Sequence, residues 1–492
     1  MAGAARKRLR RLVKSSKWRE MARGLRNFWD EYRRYKSGLV GLVLLCVIVF
    51  MAAGAPLLAS AEACENWDRA QYWEENPKGV PPEWIDWFSS EKLPRQEVLY
   101  PAVETGGPIW VPERATYAYA VFTYDFHYDA PPEDIKLEIE AEVAWRPGRP
   151  GKPAALTLLV YRPDGTTILL LSGKHYGTRK WISFSADDNI KSSLMSFGSK
   201  YETQENLEAI GALGLVEVMH ALFSKTEPGI LVGKSSMLKG IYRFVLYMEF
   251  YSEEDRFESA RLLICGKVFG LLGTDANGKD LWVGLVWGSR LALVIGLVTA
   301  VVSTLVGVIY GVVSAYAGGA VDEFMQRVVE LVSSIPLLPI LIILSYYMEP
   351  TVWNIALIMA AFYWVGPVKT VRSMALQIKE EPYVEAAKAI GVGRWRLISR
   401  YIAAQIMPYT FAVMALSVPG AILTEAAVSF LLGGMAVREL TWGKILHEAQ
   451  PHVLSGMWWW ILPPGFMICV TGLAFVLIGN ALDKILNPML KR

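Results

Sequence analysis

The sequence predicts an α-helical polytopic membrane protein with six transmembrane helices and a large inserted extracellular domain rich in β-strands. The 492 residues are 53% hydrophobic and the mean hydropathy is +0.28, yet 20% of the residues are charged. The apolar residues must therefore be concentrated in segments that lie in lipid. Six apolar runs are long enough to span a bilayer, and about 200 residues without such a run separate the first from the second. The net charge of only +3 argues against a nucleic-acid partner bound through its phosphates.

The N-terminal segment predicts a membrane anchor. Residues 1–36 contain thirteen Lys or Arg and three acidic residues, and an apolar run over residues 39–58 follows. This run is longer than the apolar region of a secretory signal peptide. Lys and Arg that precede a first span keep its N-terminus in the cytoplasm. We therefore expect a basic cytoplasmic segment over residues 1–36 and a first transmembrane helix over residues 37–60.

Residues 61–270 carry the pattern of a water-soluble, mainly β domain. Apolar and charged side chains alternate over residues 135–145, as in a half-buried strand. Similar runs predict four further strands, over residues 117–128, 155–161, 167–171 and 242–251. Residues 162–165 (Arg-Pro-Asp-Gly) predict a turn, and residues 206–223 predict one helix. This pattern is typical of a β-sandwich-like module.

Residues 271–492 predict a core of five transmembrane helices. Its apolar runs cover residues 285–316, 324–347, 352–371, 406–432 and 458–482. Residues 369–400, between the fourth and fifth of the six spans, contain seven Lys or Arg and three Glu, which places them in the cytoplasm. Lys491 and Arg492 indicate the same side. We expect a multi-pass protein of the cell membrane with both termini cytoplasmic and the inserted domain outside.

A cytoplasmic segment over residues 382–396 is too long for a simple connector. Its first half favours a helix that begins at Pro382 and ends at Gly391, in agreement with helix boundary preferences. A short helix with small residues on one face is suited to enter a groove on another protein. From spacing alone, an amphipathic loop that rests on lipid headgroups fits equally well.

Several motifs resemble those of one family. Glu385-Ala386-Ala387, with Gly391 four residues after the second alanine, resembles the EAA signature of binding-protein-dependent ABC importer permeases. Residues 273–275 (GTD) with 278–280 (GKD) resemble the GTDxxGRD motif of the oligopeptide, dipeptide and nickel permease subfamily, and residues 288–291 (GSRL) resemble its GARxS motif. Further matches follow in the expected order at residues 421–426, 429–431, 442–443 and 458–460.

The resemblance implies an ABC type I importer-like permease that forms the translocation pathway for peptides or oligosaccharides. In this family the EAA helix docks on an ATPase, so the implied coupling residues are Glu385, Ala386, Ala387, Gly391 and Arg394. The implied partners are a second permease subunit in a heterodimer, two cytoplasmic ATPase subunits, an extracellular substrate-binding protein and membrane lipid. Because ATP is hydrolysed on separate subunits, the resemblance implies a non-catalytic chain without a cofactor.

Two departures from the family pattern are present. Members normally have Leu-Pro-Asn soon after the EAA helix, where this chain has Ala403-Ala404-Gln405 and retains Pro408, so the fifth span is expected to bend elsewhere. The family also has a much shorter external segment between its first two spans. We expect the inserted domain either to shape the docking site of the substrate-binding protein or to be an accessory module that contacts the partner permease.

Ionisable residues within the spans are further candidates. Glu425 lies near the outer end of the fifth predicted span, where a carboxylate in lipid is costly. It is a candidate for the translocation pathway, with a hydrogen-bonded helix–helix contact as an equal alternative. The histidines lack metal-ligand spacing and the cysteines form no C-x-x-C pair, so no metal site is expected.

Two cysteines are expected on the oxidising side of the membrane. Cys64 and Cys265 each lie close to a predicted span, and a disulfide between them would close the base of the inserted domain. Two free thiols are equally compatible with the sequence, because it does not reveal the separation of their Cα atoms.

A second class of function is a non-transporting receptor or adhesion protein, whose β domain binds a surface ligand and whose membrane part is an anchor. Such a protein needs neither six spans nor an EAA helix. The sequence therefore favours the permease, and co-purification with ATPase subunits distinguishes the two classes.

Overall fold

The computed structural model describes residue 23 and residues 26–102, 109–111, 115–143, 153–175, 179–213, 216–252, 254–349, 351–433 and 438–486. Most of the basic segment over residues 1–36, and Lys491 and Arg492, lie outside the described residues. The chain forms two compact units, which we describe separately. The helical unit comprises Met1–Glu65 and Val283–Arg492, and the β unit comprises Asn66–Trp282.

The described part of the helical unit starts with helical residues 26–32, and the predicted first span follows them. The next three helices are α1 (Lys36–Ala53), α2 (Ala55–Leu58) and α3 (Ala61–Glu65). Gly38 and Gly41 form a buried side of α1. A Cβ at Gly41 would lie 2.7 Å from the carbonyl oxygen of Ala474, in the last helix of the chain. Small residues allow this close approach of two helices, as is common in membranes.

The β unit contains two antiparallel sheets. Its strands are β1 (Glu97–Leu99), β2 (Ile109–Val111), β3 (Ala115–Phe126), β4 (Asp134–Glu142), β5 (Ala154–Tyr161), β6 (Thr167–His175), β7 (Arg179–Ser183), β8 (Gly240–Phe250) and β9 (Arg256–Cys265). One sheet has the order β1-β9-β4-β7 and the other has the order β2-β3-β8-β5-β6. Phe122, Ile135 and Phe244, from both sheets, are fully buried in one apolar core. The prediction of a β-rich module is therefore confirmed.

The helices of the β unit differ from the prediction. They are α4 (Asp188–Gly198), α5 (Gln204–Leu213) and α6 (Val218–Phe223), so the single helix expected over residues 206–223 is wrong. Glu217 has non-helical dihedral angles, and its N–H donates to the Leu231 carbonyl at 3.0 Å instead of to a helical carbonyl. Helix α4 was not predicted, although Asp187 caps it by accepting from the N–H groups of Asn189 and Ile190.

The segment near the start of the β unit lies next to the segment near its end. The Thr274 N–H donates to the Val80 carbonyl at 2.9 Å, and the Gly79 N–H donates to the Asp275 carbonyl at 2.7 Å. The Lys279 ammonium also lies 5.0 Å from the centre of the Trp67 ring. Residues near both ends of the unit therefore hold each other directly.

The remaining helices build most of the helical unit. They are α7 (Leu281–Ala317), α8 (Gly319–Ser334), α9 (Leu337–Tyr347), α10 (Val352–Tyr363), α11 (Val365–Lys379), α12 (Pro382–Ala389), α13 (Arg394–Arg396), α14 (Ala403–Leu432), α15 (Trp442–Ala449) and α16 (Trp458–Leu486). Within the described residues, five helices are long and apolar enough to span a membrane, or six spans if the bent pair α8–α9 counts as one.

The third predicted span, over residues 324–347, is not one straight helix. Helices α8 and α9 meet at an angle of 76°. Ile335 at the break is extended, because a proline disfavours the helical region for the residue before it, and Pro336 follows. The apolar run is continuous across the break, which is why hydropathy alone predicted a single helix.

Candidate functional site

The EAA motif lies on α12, which begins at Pro382. Proline suits the first helical position, where its missing N–H would have no intrahelical partner. The helix ends in a Schellman motif, in which the Gly391 N–H donates to the Lys388 carbonyl at 3.0 Å and the Val392 N–H donates to the Ala387 carbonyl at 3.1 Å. Gly391 has a φ of +80°, which strains a residue that has a Cβ. The sequence therefore defines both ends of this helix.

One face of α12 packs on the protein itself. Val384 and Ala387 form a buried cluster with Leu397, and Tyr316 and Ile378 pack against that cluster. Ala387 is only 4% exposed. Ala387, one of the five implied coupling residues, therefore packs against its own chain, and its role in coupling stays a prediction. The chain turns back after α12, and Leu397 then covers Ala387.

The other face of α12 is exposed. Glu385 and Ala386 lie on it, and Gly391 and Arg394, which follow the helix, are also exposed. These four of the five predicted coupling residues are therefore accessible on the surface of this chain.

Two large apolar side chains in the same segment are exposed and were not singled out from the sequence. Ile390 is 80% exposed and Trp395 is 78% exposed. Apolar side chains left uncovered among charged residues are typical of protein contact sites. The available signal was a tryptophan between Arg394 and Arg396, in a segment with few other large apolar residues.

A local irregularity connects this segment to α14. Leu397–Ile402 forms one turn of π-helix directly before Ala403. Pro408 and Pro419 lie inside α14. Isolated π-turns occur frequently at functional positions of helices. The backbone therefore departs from a regular helix just before the position where the family normally has Leu-Pro-Asn.

Glu425 lies inside the helical unit and is 2% exposed. The Ser429 hydroxyl donates to its Oε1 at 2.8 Å, and the Thr441 side chain also hydrogen-bonds the carboxylate. Because Thr441 precedes α15, the carboxylate links α14 to the start of α15. This arrangement favours the helix–helix contact, and a role in the translocation pathway stays a prediction.

Three other family motifs, at residues 288–291, 429–431 and 442–443, meet beside Glu425. The Trp442 Nε1 donates to the Leu285 carbonyl at 2.9 Å, and a Cβ at Gly288 would lie 2.7 Å from the Trp442 ring. A Cβ at Gly443 would lie 2.7 Å from Ser429 Cβ. Glycine at both positions thus lets α7, α14 and α15 pack closely. Motifs that are far apart in the sequence form one packing cluster.

The motif over residues 273–280 forms a tight turn that starts α7. The Asp275 Oδ1 accepts from the N–H groups of Asn277 and Lys279, each at 2.8 Å. The Asp280 Oδ1 accepts from the Trp282 N–H at 2.9 Å, as a helix-capping carboxylate does. The two aspartates of the motif therefore shape the backbone at the end of the β unit.

Cys64 and Cys265 are free cysteines in the structure. Cys64 belongs to the helical unit and is half-buried, whereas Cys265 belongs to the β unit and is buried. Burial raises the pKa of the Cys265 thiol to about 12, so the thiol is neutral at physiological pH. Whether Cys64 pairs with Cys265, which belong to different units, stays a prediction. Within the described ranges, no three or more His, Cys, Asp or Glu side chains are placed to hold a metal ion.

Long apolar helices together with an exposed EAA helix define a membrane transport permease. Residues 287–492 match the family described as binding-protein-dependent transport system inner membrane component. Residues 25–77 match the N-terminal TM domain of oligopeptide transport permease C. The segment between these two matches contains most of the β unit.

Relatives support the same assignment. The chain is 36% identical over 220 residues to the dipeptide transport system permease protein DppC of Bacillus subtilis, covering 45% of this chain and 69% of the relative. It is 34% identical over 220 residues to the oligopeptide transport system permease protein OppC of Haemophilus influenzae, covering 45% and 70%. The chain belongs to this family, as an ABC importer permease of the peptide transporter subfamily.

The two possible roles of Glu425 predict different effects of its substitution on stability and transport. We expect Glu425→Gln to fold and transport normally, because the amide oxygen still accepts from Ser429. Glu425→Ala leaves hydroxyls without their partner and lowers the free energy of unfolding by about 1–3 kcal/mol. Thermal unfolding and uptake are measured for both variants, with the exposed Glu330→Gln as the control. A Glu425→Gln protein of normal stability that fails to transport would instead place Glu425 on the pathway.

Proposed function

We propose that this chain is a transmembrane subunit of an ATP-driven peptide importer. It contributes to the translocation pathway for peptides that an extracellular substrate-binding protein delivers. A second permease subunit and two cytoplasmic ATPase subunits complete the assembly, and ATP is hydrolysed on the latter. Family membership and relatives named as dipeptide and oligopeptide permeases support this proposal.

The observation that carries the proposal is the geometry of the EAA segment. Its inner face is held by Val384 and Ala387, while Ile390 and Trp395 are left uncovered. A helix that is fixed to its own protein on one side and exposes apolar side chains next to it is suited to insert into a groove of a partner. We place this partner, an ATPase subunit, in the cytoplasm, because the segment is rich in Lys and Arg.

The contacts of α12 provide a route for movement. Val384 and Ala387 pack close to Tyr316, at the end of α7, and to Ile378, at the end of α11. Closure of an ATPase pair around α12 would therefore displace the ends of two long helices and not a loose loop.

The Schellman cap supplies a test of this coupling. Gly391→Ala introduces a Cβ at a φ of +80°, which costs roughly 1–2 kcal/mol and opens the end of α12. We expect ATPase affinity and ATP-driven uptake to fall. Gly393→Ala is the matched control, since Gly393 is extended at a φ of −61° and a Cβ at either glycine meets no atom within 4 Å.

A surface substitution separates docking from folding. We expect Trp395→Ala to reduce the affinity for ATPase subunits severalfold, as loss of an exposed aromatic anchor does, without changing thermal stability. Co-purification and binding titrations measure the affinity. If affinity is unchanged and only lipid binding falls, Trp395 rests on headgroups and the docking role is wrong.

We also propose that the β unit shapes the docking site for the substrate-binding protein. Trp67 and Trp73 are 2% and 3% exposed and belong to the core, so they are not available to a partner. Trp87 and Phe88, in contrast, are 79% and 80% exposed. These neighbouring aromatic side chains are the contact residues that we assign to the docking site.

Substitution of these two residues tests the docking role. We expect Trp87→Ser with Phe88→Ser to lower the affinity for the substrate-binding protein and uptake, while spans, ATPase binding and thermal stability stay normal because both side chains are exposed. Glu91→Ser, at an exposed position nearby, is the control. Unchanged affinity for the binding protein would show that this surface does not dock it.

A further inference from the structure

A partly buried ion pair joins α8 to α11. The Arg372 Nε donates to Asp322 Oδ1 at 2.8 Å, and Nη2 donates to Oδ2 at 2.5 Å. The Asp322 side chain is 12% exposed and the Arg372 side chain is 31% exposed. Two parallel bonds fix the orientation of both groups, which a single bond to a lysine would not do.

The end of α7 takes part in the same network. The Ser314 hydroxyl donates to Asp322 Oδ1, and the Gln326 Nε2 donates to the Ser314 hydroxyl at 2.9 Å. The Lys379 ammonium, at the end of α11, donates to the carbonyls of Ala315 and Tyr316 at 3.3 and 3.4 Å. Three helices are thus held together where they approach the EAA helix.

The turn between α7 and α8 places Asp322 in this network. Gly318 and Gly319 have φ values of +64° and +55°, which allow the chain to reverse within two residues. Asp322 then lies beside Ser314, which is in the last turn of α7. The two glycines and the ion pair together set the direction in which α8 leaves the network.

The network continues into the EAA helix on one side and into the bent helix pair on the other. Tyr316, whose carbonyl accepts from Lys379, also packs against Val384 and Ala387 of α12. Beyond the 76° bend, Leu341 of α9 packs with α10 and α14 in a buried apolar cluster. A continuous path of contacts therefore leads from α12 through Asp322 to α9.

We propose that Asp322 and Arg372 are a positioning pair that makes the bent pair α8–α9 follow the movement of α12. This inference rests on the proposed function, in which an ATPase moves α12. A partly buried ion pair adds little net stability, because the cost of desolvation offsets the attraction between the charges. The bidentate geometry instead gives α8 one defined position relative to α11.

The amount of peptide transported per ATP hydrolysed tests this role. It is measured for the complete complex in proteoliposomes, with labelled di- and tripeptides as the probe. We expect Asp322→Asn to retain ATPase binding and hydrolysis, while the peptide transported per ATP falls about tenfold, within the range of coupling effects from single substitutions. Arg372→Lys keeps the charge and loses the bidentate bond, so its loss should be intermediate. Reversal of the pair, Asp322→Arg with Arg372→Asp, should restore part of the coupling.

A matched control lies on the same helix. Arg327 and Glu330 form an exposed ion pair at 2.6 Å on α8, and Glu330→Gln should leave transport per ATP unchanged. A structural role alone would lower hydrolysis and uptake in proportion to the folded fraction. That outcome, or normal transport per ATP in Asp322→Asn, would overturn the proposal.

A distance measurement tests the linkage without transport. Spin labels at Phe324→Cys on α8, which is 70% exposed, and at exposed Lys388→Cys on α12 are placed in a variant whose native cysteines are serines. We expect a narrow distance distribution in nanodiscs that broadens with Asp322→Asn and not with Glu330→Gln. An unchanged distribution in Asp322→Asn overturns the linkage. If the unaltered chain does not bind ATPase subunits, the proposed function is wrong. The linkage between α8 and α12 is not affected by that result, because the distance is measured without ATPase subunits.

Discussion

Hydrocarbon offers no hydrogen-bond partner, and this constraint decides how the helical unit is assembled. In its described part, Asp322 and Glu425 are buried carboxylates, and each is held by side chains of its own or neighbouring helices. Helices gain little in lipid by burying apolar surface against each other, so polar contacts and close glycine contacts select the pairs that pack. The family motifs lie at such contacts, which explains why Trp442 and Gly288, distant in the sequence, touch each other.

The same constraint accounts for the accuracy of the sequence predictions in the membrane part. A long apolar run identifies a span because no other environment accommodates it, and α1, α7 and α16 were found in this way. Hydropathy, however, carries no information about the direction of a helix axis within an apolar run. The bend before Pro336 depends on a local dihedral preference, which hydropathy does not measure, although the proline itself was a signal in the sequence.

In the β unit, the period-two alternation of apolar and polar residues identified β3, β4, β5, β6 and β8. Strand β9 was not predicted, because residues 262–265 in its second half form an unbroken apolar run without alternation. The EAA helix was found from a resemblance and from its proline and glycine boundaries. Which of its alanines faces outward could not be predicted, since Leu397 and Tyr316 cover Ala387 only after the chain has turned back.

The pairing of Val80 with Thr274 has a consequence for how such a protein can arise. Because the two ends of the β unit adjoin, the module resembles a loop whose ends are already closed, and proteins tolerate large insertions at sites of this kind. An ancestral permease could acquire the module in a single genetic event without lengthening the gap between its flanking segments. The module could then diverge at its own rate, independent of the transport machinery to which it is joined.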